Sequence, residues 1–401
     1  MLRGCDERRS VMSTGRRRWA VLAIGMTAMT AGCAFQFGLA YLIPALLDEG
    51  LSLGQAGLLA AAPTAGLLTT LIAWGAAADR WGERRVLAIG LGAAGAILAV
   101  GTRIDGTVAL GVCFALAGAA GAAVHASSGR LILGWFAAHE RGLAMGLRQT
   151  AQPLGVAVAA LVLPSLARSA ALLFLSVFCL VAAAMVAIVV REPAARPAAA
   201  DVPAGSPYCT PVLWRVHAAS ALLIVPQFAV ATYALVFLVD VHSWEPAAAG
   251  RILAIGQIGG ALARLGAGWW SDRVGSRMRP MRLVALAITL VMAVLAAGTH
   301  TPVAITALLL AGVLSVSPNG LAFTAVAEYA GRAWAGRALG VQNTAQNAVA
   351  AATPPLLAGV ISAGGYGTAF AATIAFPLLA AAVIPVSAEV ADRTPATRGT
   401  A

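Results

Sequence analysis

The chain has 401 residues and a formal net charge of +11, yet only 11% of its residues are charged and 60% are hydrophobic. A soluble domain carries roughly 25% charged residues, so this composition, with a mean hydropathy of +0.84, excludes an ordinary cytosolic protein and indicates a multi-pass membrane protein. The positive charge does not point to nucleic acid, because its carriers sit in short clusters between long apolar stretches. All 27 basic residues are Arg.

The N-terminal arm, residues 1–18, is basic and ends in Arg16, Arg17 and Arg18. Met12 offers a second possible start within it. The apolar span that follows is too long for a signal-peptide core and reads as a first membrane helix. A membrane helix needs about 20 mostly apolar residues, and twelve such spans can be laid out. The first six are 19–46, 55–77, 86–102, 107–133, 142–164 and 170–190. The next six are 213–239, 247–270, 283–298, 302–327, 337–361 and 368–386. The segment 191–212, rich in Pro and Ala, reads as a linker between a bundle at 19–190 and a bundle at 213–386, with a polar tail at 387–401. The fold class expected is therefore an all-α membrane protein of twelve transmembrane helices in two pseudo-symmetric six-helix bundles. The five Cys show no metal-site or disulfide spacing, and no cofactor, metal centre or catalytic cluster is expected.

Orientation follows from Arg placement. Twenty-one Arg fall on one side of this layout, which assigns both termini, the linker and the tail to the cytoplasm of a bacterial inner-membrane protein. Trp19, Trp135, Trp214 and Trp244 near span ends read as interfacial anchors.

The two halves repeat. "GAAADRWG" at 75–82 and "GWWSDRVG" at 268–275 share G-x-x-x-D-R-x-G at an offset of 193, and "GLRQTAQP" at 146–153 is followed 194 residues later by "GVQNTAQN" at 340–347. Two motifs at nearly one offset indicate duplicated halves. In each turn motif a Gly lets two helices meet tightly. Its Asp can accept hydrogen bonds from a helix N-terminus or pair with Arg. Asp79, Arg80, Asp272 and Arg273 are thus gating candidates, the alternative being a solvated charged loop.

These residues resemble the major facilitator superfamily, whose hallmark after helix 2 is matched by Gly75, Asp79, Arg80, Gly82, Arg84 and Arg85, and again by Gly268, Asp272, Arg273 and Gly275. The resemblance covers about residues 15–390. It implies two six-helix bundles around a central cavity and alternating access by rocking. A finer likeness is to the monocarboxylate transporter and oxalate/formate antiporter branch. "WFAAHERGLAMG" at 135–146 resembles its entry to helix 5, and "ARLGAGWWSDR" at 263–273, with Arg264 and Gly268, resembles its helix 8. Gly260 stands where monocarboxylate transporters place an Asp, and a helix-11 Lys has no counterpart in a chain without Lys.

The polar residues avoid spans 3, 6, 9 and 12 and gather in the others: Gln36 in span 1, His125 and Arg130 in span 4, Arg148 and Gln152 in span 5. The second half has Gln227 in span 7, Gln257 and Arg264 in span 8, Asn319 in span 10, and Gln342 and Gln346 in span 11. A charge facing lipid costs at least about 2.5–3.5 kcal/mol, so these groups are expected to face protein or water. Arg148 and Arg264 lie roughly 10–12 Å inside by helical rise, in opposite halves, with no Asp or Glu mid-span. Two such cations invite an anion. Gly155 and Gly260 on the same helix faces suggest room for it.

The expected function is a secondary transporter, not an enzyme, moving a small organic anion such as a carboxylate across the membrane as a monomer. Arg264, Arg148, Gln152, Gln257, Gln36, Gln346 and Asn319 are its candidate substrate-binding residues. For Arg264 the alternative is a structural role on helix carbonyls, and for Arg148 bonding to span 1 or 4. His125 is the proton-coupling candidate, the alternative being helix packing. The other functional reading is a drug or amphiphile efflux transporter of the same fold.

Overall fold

The computed structural model describes residues 2–136, 141–191 and 206–387. Most of the linker and tail, the side chains of the basic arm up to residue 16, and the side chains of Asp79 and Arg130 lie outside the described residues. Every regular element among the described residues is helical.

The chain divides into two compact units, Met1–Pro197 with Glu245–Ala254, and Ala198–Trp244 with Ile255–Ala401. The first contains α1 (Leu2–Gly38), which runs through a 3-10 turn into α2 (Ile43–Asp48), then α3 (Leu53–Trp81), α4 (Glu83–Gly101), α5 (Thr107–Trp135), α6 (Arg141–Val162) and α7 (Arg168–Val189). The second contains α8 (Pro211–Asp240), most of α9 (Pro246–Val274), α10 (Met278–Ala297), α11 (Val303–Val316), α12 (Pro318–Thr373) and α13 (Ala375–Val383). α12 is not one rod. Gly331 (φ 68°) and Gly365 (φ 78°) break it, so its first part extends α11, its middle is a separate span and its end continues into α13. With α1 and α2 as one span, this gives the twelve spans expected.

Nine helical stretches among the described residues are long and apolar enough to cross a membrane, and Trp334–Val383, counted as one, contains the Gly365 break. α6 and α9 are not among them. They are the helices that carry Arg148 and Arg264. The side chains are turned inside out relative to a soluble protein. Ile72, Val108 and Ile188 are 79–83% exposed, while Gln36, Arg148, Arg264, Gln342 and Gln346 are buried. Lipid-facing apolar groups and inward polar groups are what a bilayer solvent selects.

Local sequence explains the joints. α3 starts in a capping box: Ser52 Oγ accepts from Gln55 N at 3.2 Å, and Gln55 Oε1 accepts from Ser52 N at 2.9 Å. It ends at Gly82, whose φ of 85° only Gly adopts at little cost. The matching residue of the other half, Gly275, has φ 65°. The turn predicted from the repeated motif is thus present twice.

Within the first unit, α3 and α5 cross in direct backbone contact. A Cβ at Gly66 would overlap the Ala115 carbonyl, and one at Gly118 would lie 2.5 Å from the Pro63 carbonyl carbon. Small residues allow such approach. It brings the Ala119 carbonyl within reach of Thr70 Oγ1 at 2.6 Å and Trp74 Nε1 at 2.7 Å, which tie the helices together.

Candidate functional site

In the first unit the polar residues of α1, α5 and α6 form one cluster. Arg148 is 8% exposed. It donates to Ser128 Oγ from Nε at 3.0 Å and from Nη2 at 2.8 Å, and to Gln149 Oε1 from Nη1 at 3.2 Å. Nη2 also lies 3.9 Å from Met29 Sδ on α1. Ser128 in turn donates to the Val124 carbonyl at 2.6 Å. The bonds to spans 1 and 4 that sequence reasoning held open for Arg148 are therefore made. All these partners are neutral, and no carboxylate among the described residues forms an ion pair with Arg148.

About one turn along α5 from Ser128, His125 Nε2 lies 2.9 Å from Gln36 Oε1, and Phe37 meets the imidazole edge-on at 6.4 Å. Gln36 is 1% exposed, and its Nε2 has no hydrogen-bond partner among the described residues. A buried donor left unpaired costs about 1–3 kcal/mol. Ser127 Oγ is likewise buried and has no partner among the described residues. Gln152, one turn beyond Arg148 on α6, is half-buried.

The glycines of this cluster correct one expectation. The space at Gly155, on the Arg148 face, is taken by α1: a Cβ there would lie 2.9 Å from the Ala34 nitrogen and from Cys33 Cβ. Gly155 serves a helix crossing rather than a guest. Gly260 is similar, since its Cβ would lie 2.7 Å from Val316 Cγ2. Room beside a helical Gly is usually claimed by the neighbouring helix.

In the second unit, Arg264 is 7% exposed, and its Nε donates to the Val316 carbonyl at 3.2 Å, the helix-carbonyl contact held open for it. Its stem runs beside Gly320. Asn319 Nδ2 donates to Gln227 Oε1 at 3.0 Å. Gln342 and Gln346, spaced one turn apart on α12, both donate to Ser220 Oγ of α8 at 2.5 Å. Gln342 Oε1 faces His217 Nδ1 at 2.5 Å. Gln257 is half-buried on α9, two turns before Arg264.

The turn motifs carry a second cluster. Asp272 is not paired with the adjacent Arg273, which lies over the Trp269 ring at 4.2 Å. Its partner is Arg277, whose Nη1 donates to Asp272 Oδ1 at 2.5 Å and to Ser271 Oγ at 3.0 Å, while Nη2 donates to Glu328 Oε1 at 3.0 Å. Burial opposes the Arg277 charge, but the Glu328 and Asp272 carboxylates outweigh it and raise the guanidinium above its ordinary pKa. Arg277 and Glu328 were missed from sequence. In the first half Arg80 is exposed, and Arg84, the counterpart of Arg277, donates instead to the Ala187 carbonyl at the end of α7, with Nε at 3.1 Å.

Comparison with known proteins fits this architecture. The Major Facilitator Superfamily profile matches residues 21–354. The chain is 43% identical over 378 residues to an uncharacterized MFS-type transporter of Mycobacterium tuberculosis (strain H37Rv), covering 92% of this chain and 85% of that protein. Among solved structures it resembles a bacterial homolog of the human lysosomal transporter Spinster, at TM-score 0.79 and 15% identity, over 94% of this chain and 99% of that one. It also resembles the human organic anion transporter MFSD10, at TM-score 0.71 and 16% identity, over 92% and 99% of the two chains. These last two likenesses concern the fold. The chain is a multi-pass membrane transporter rather than an enzyme, and it belongs to the Major Facilitator Superfamily.

Proposed function

We propose that this transporter moves a small organic anion, most simply a carboxylate, by alternating access. The observation that carries the reading is Arg148: a guanidinium 8% exposed whose partners among the described residues are all neutral. A buried cation without a counter-charge is costly, and a bound carboxylate would supply that charge in bidentate geometry. Gln36, whose buried Nε2 has no partner among the described residues, and Gln152 would orient the anion from the first unit. In the second unit Arg264, Gln257, Asn319 and Gln346 are the candidate binding residues. The likeness of 135–146 and 263–273 to the monocarboxylate and oxalate/formate branch supports the same substrate class.

Neutralisation also explains coupling. Closing a site around an uncompensated guanidinium costs several kcal/mol of desolvation, and a bound anion offsets part of this. The loaded carrier then crosses more readily than the empty one. We place both termini on the cytoplasmic side from the Arg bias, treat the two halves as the moving bodies, and read Asp79, Arg80, Asp272 and Arg273 as gate residues, with Arg277 and Glu328 added.

The test is a thermal-shift screen of the purified protein against small carboxylates, nitrate-like anions and cationic drugs, followed by uptake into proteoliposomes. A carboxylate should stabilise the wild type and be taken up, and Arg264→Ala should abolish uptake. Stabilisation by drugs alone, or unchanged uptake and KM in Arg264→Ala, would overturn the anion site.

A further inference from the structure

The second unit holds a buried histidine that the anion site does not use. His217, on α8, is 4% exposed. Its Nδ1 lies 2.5 Å from Gln342 Oε1, and its Nε2 lies 3.2 Å from the Tyr208 hydroxyl. Gln342 Nε2 is committed to Ser220 Oγ at 2.5 Å, so the amide presents its oxygen to the ring. That oxygen can only accept. Nδ1 must therefore carry a proton in either charge state, and Nε2 is the exchangeable position.

Tyr208 suits that position. A hydroxyl donates or accepts as required, so it donates to the neutral ring and accepts from the protonated one. Protonation then reverses one hydrogen bond and breaks none. Tyr208 lies on the 3-10 turn Pro207–Cys209, half-buried, next to the exposed Cys209 and Thr210. Burial pushes its phenol pKa up, which keeps it a neutral hydroxyl. The Tyr208 ring stacks on the imidazole at 5.9 Å, and Trp214 meets it edge-on at 6.3 Å. Among the described residues the charged groups around it are Arg215, on α8 itself, which donates to the Val383 carbonyl of α13 at 2.8 Å, and Arg337 of α12, which lies over Trp334 at 4.9 Å, the Trp334 ring in turn meeting Tyr208 edge-on at 6.3 Å.

We propose that His217 is a proton-binding site of this transporter, exchanging its proton at Nε2 through the Tyr208 hydroxyl and passing its charge state to α12 through Gln342. Imidazole is the side chain suited to exchange near neutrality, and the sequence places no Asp or Glu mid-span that could take this role. The relay continues inward, because Ser220 Oγ also accepts from Gln346 at 2.5 Å. The proposal rests on membership of the transporter family and not on the anion reading.

The experiment is nitrogen-15 NMR of the full chain, labelled at histidine and reconstituted in lipid nanodiscs, titrated from about pH 9 to about pH 5. Loss of one resonance in His217→Gln assigns the signal. Should that variant not fold, selective perturbation by Tyr208→Phe assigns it instead. The expected result is a neutral ring protonated at Nδ1 that becomes an imidazolium within this range. In Tyr208→Phe, where Nε2 loses its hydrogen-bond partner in both charge states, the Nε2 resonance should shift while Nδ1 stays protonated. A neutral ring protonated at Nε2, a signal that does not titrate, or an Nε2 resonance unmoved by Tyr208→Phe would each overturn the proposal.

Discussion

Replacing Arg148 by Met separates a functional guanidinium from a structural one, because the two roles predict opposite changes in stability. Arg148 donates to Ser128 at 3.0 and 2.8 Å and to Gln149 at 3.2 Å. Bonds to a charged group are worth about 1.5–3 kcal/mol each, and burying the ion costs several kcal/mol. The two sides nearly cancel. Met has a similar reach and no charge to desolvate. Ser128 keeps its bond to Val124 at 2.6 Å, and Gln149 is only half-buried, so no deeply buried polar group is stranded. The expected outcome is unfolding between unchanged and about 1–2 kcal/mol more stable, with carboxylate-induced stabilisation and uptake lost. Thermal unfolding in nanodiscs, with and without anion, measures both. A loss of more than about 2 kcal/mol with the anion response intact would show Arg148 to be a bracket between α1, α5 and α6, and would refute the reasoning.

Further outcomes follow from the packing, the ion pair and the caps. Gly118→Val drives a side chain into the Pro63 backbone and should cost about 1–3 kcal/mol or more through overpacking. Gly340→Ala, on α12 with open space around it, should be neutral or slightly stabilising; paired melting curves check both. Arg277→Gln and Glu328→Gln should each cost about 0.2–1 kcal/mol, since the side chains are 22% and 52% exposed. Their double-mutant cycle should show a coupling that shrinks as salt is raised. Ser52→Ala removes the capping box of α3 and should cost about 0.5–2 kcal/mol, read as earlier unfolding of the first unit.

What could be read from sequence was what local chemistry dictates. Span length follows from bilayer thickness, and the burial of Gln36, Arg148 and Arg264 follows from the cost of polarity in lipid. Gly82 and Gly275 were legible because a repeated Gly after D-R-x points to a left-handed turn. What escaped was long-range partnering. Arg277 and Glu328 stand 51 residues apart, as do no two members of any recognisable motif. His217 meets Gln342 across 125 residues. The Gln342/Gln346 spacing put both amides on one helix face, but only the structure brings them to Ser220. Gly155 and Gly260 misled because an absent side chain signals equally an empty pocket and a close crossing, and only coordinates separate the two.

The duplicated turns also show how one ancestral motif can take two roles. Arg84 and Arg277 occupy equivalent places five residues after Asp79 and Asp272. In the second half Glu328 stands within reach, and the guanidinium closes an Asp–Arg–Glu bridge. At the repeat offsets the first half has Gly134 or Trp135 in place of Glu328. With no carboxylate there, Arg84 turns to the Ala187 carbonyl and caps the end of α7, where a cation is favoured by the helix dipole. An ion pair is weakened by salt and by competing charges, whereas a guanidinium on a backbone carbonyl has no partner charge to lose. Among the described residues the ion-paired, salt-sensitive latch is therefore the one in the second half. Arg84→Gln should lower stability by an amount that barely changes with ionic strength, in contrast to Arg277→Gln, and equal salt dependence for the two would show that the copies still act alike.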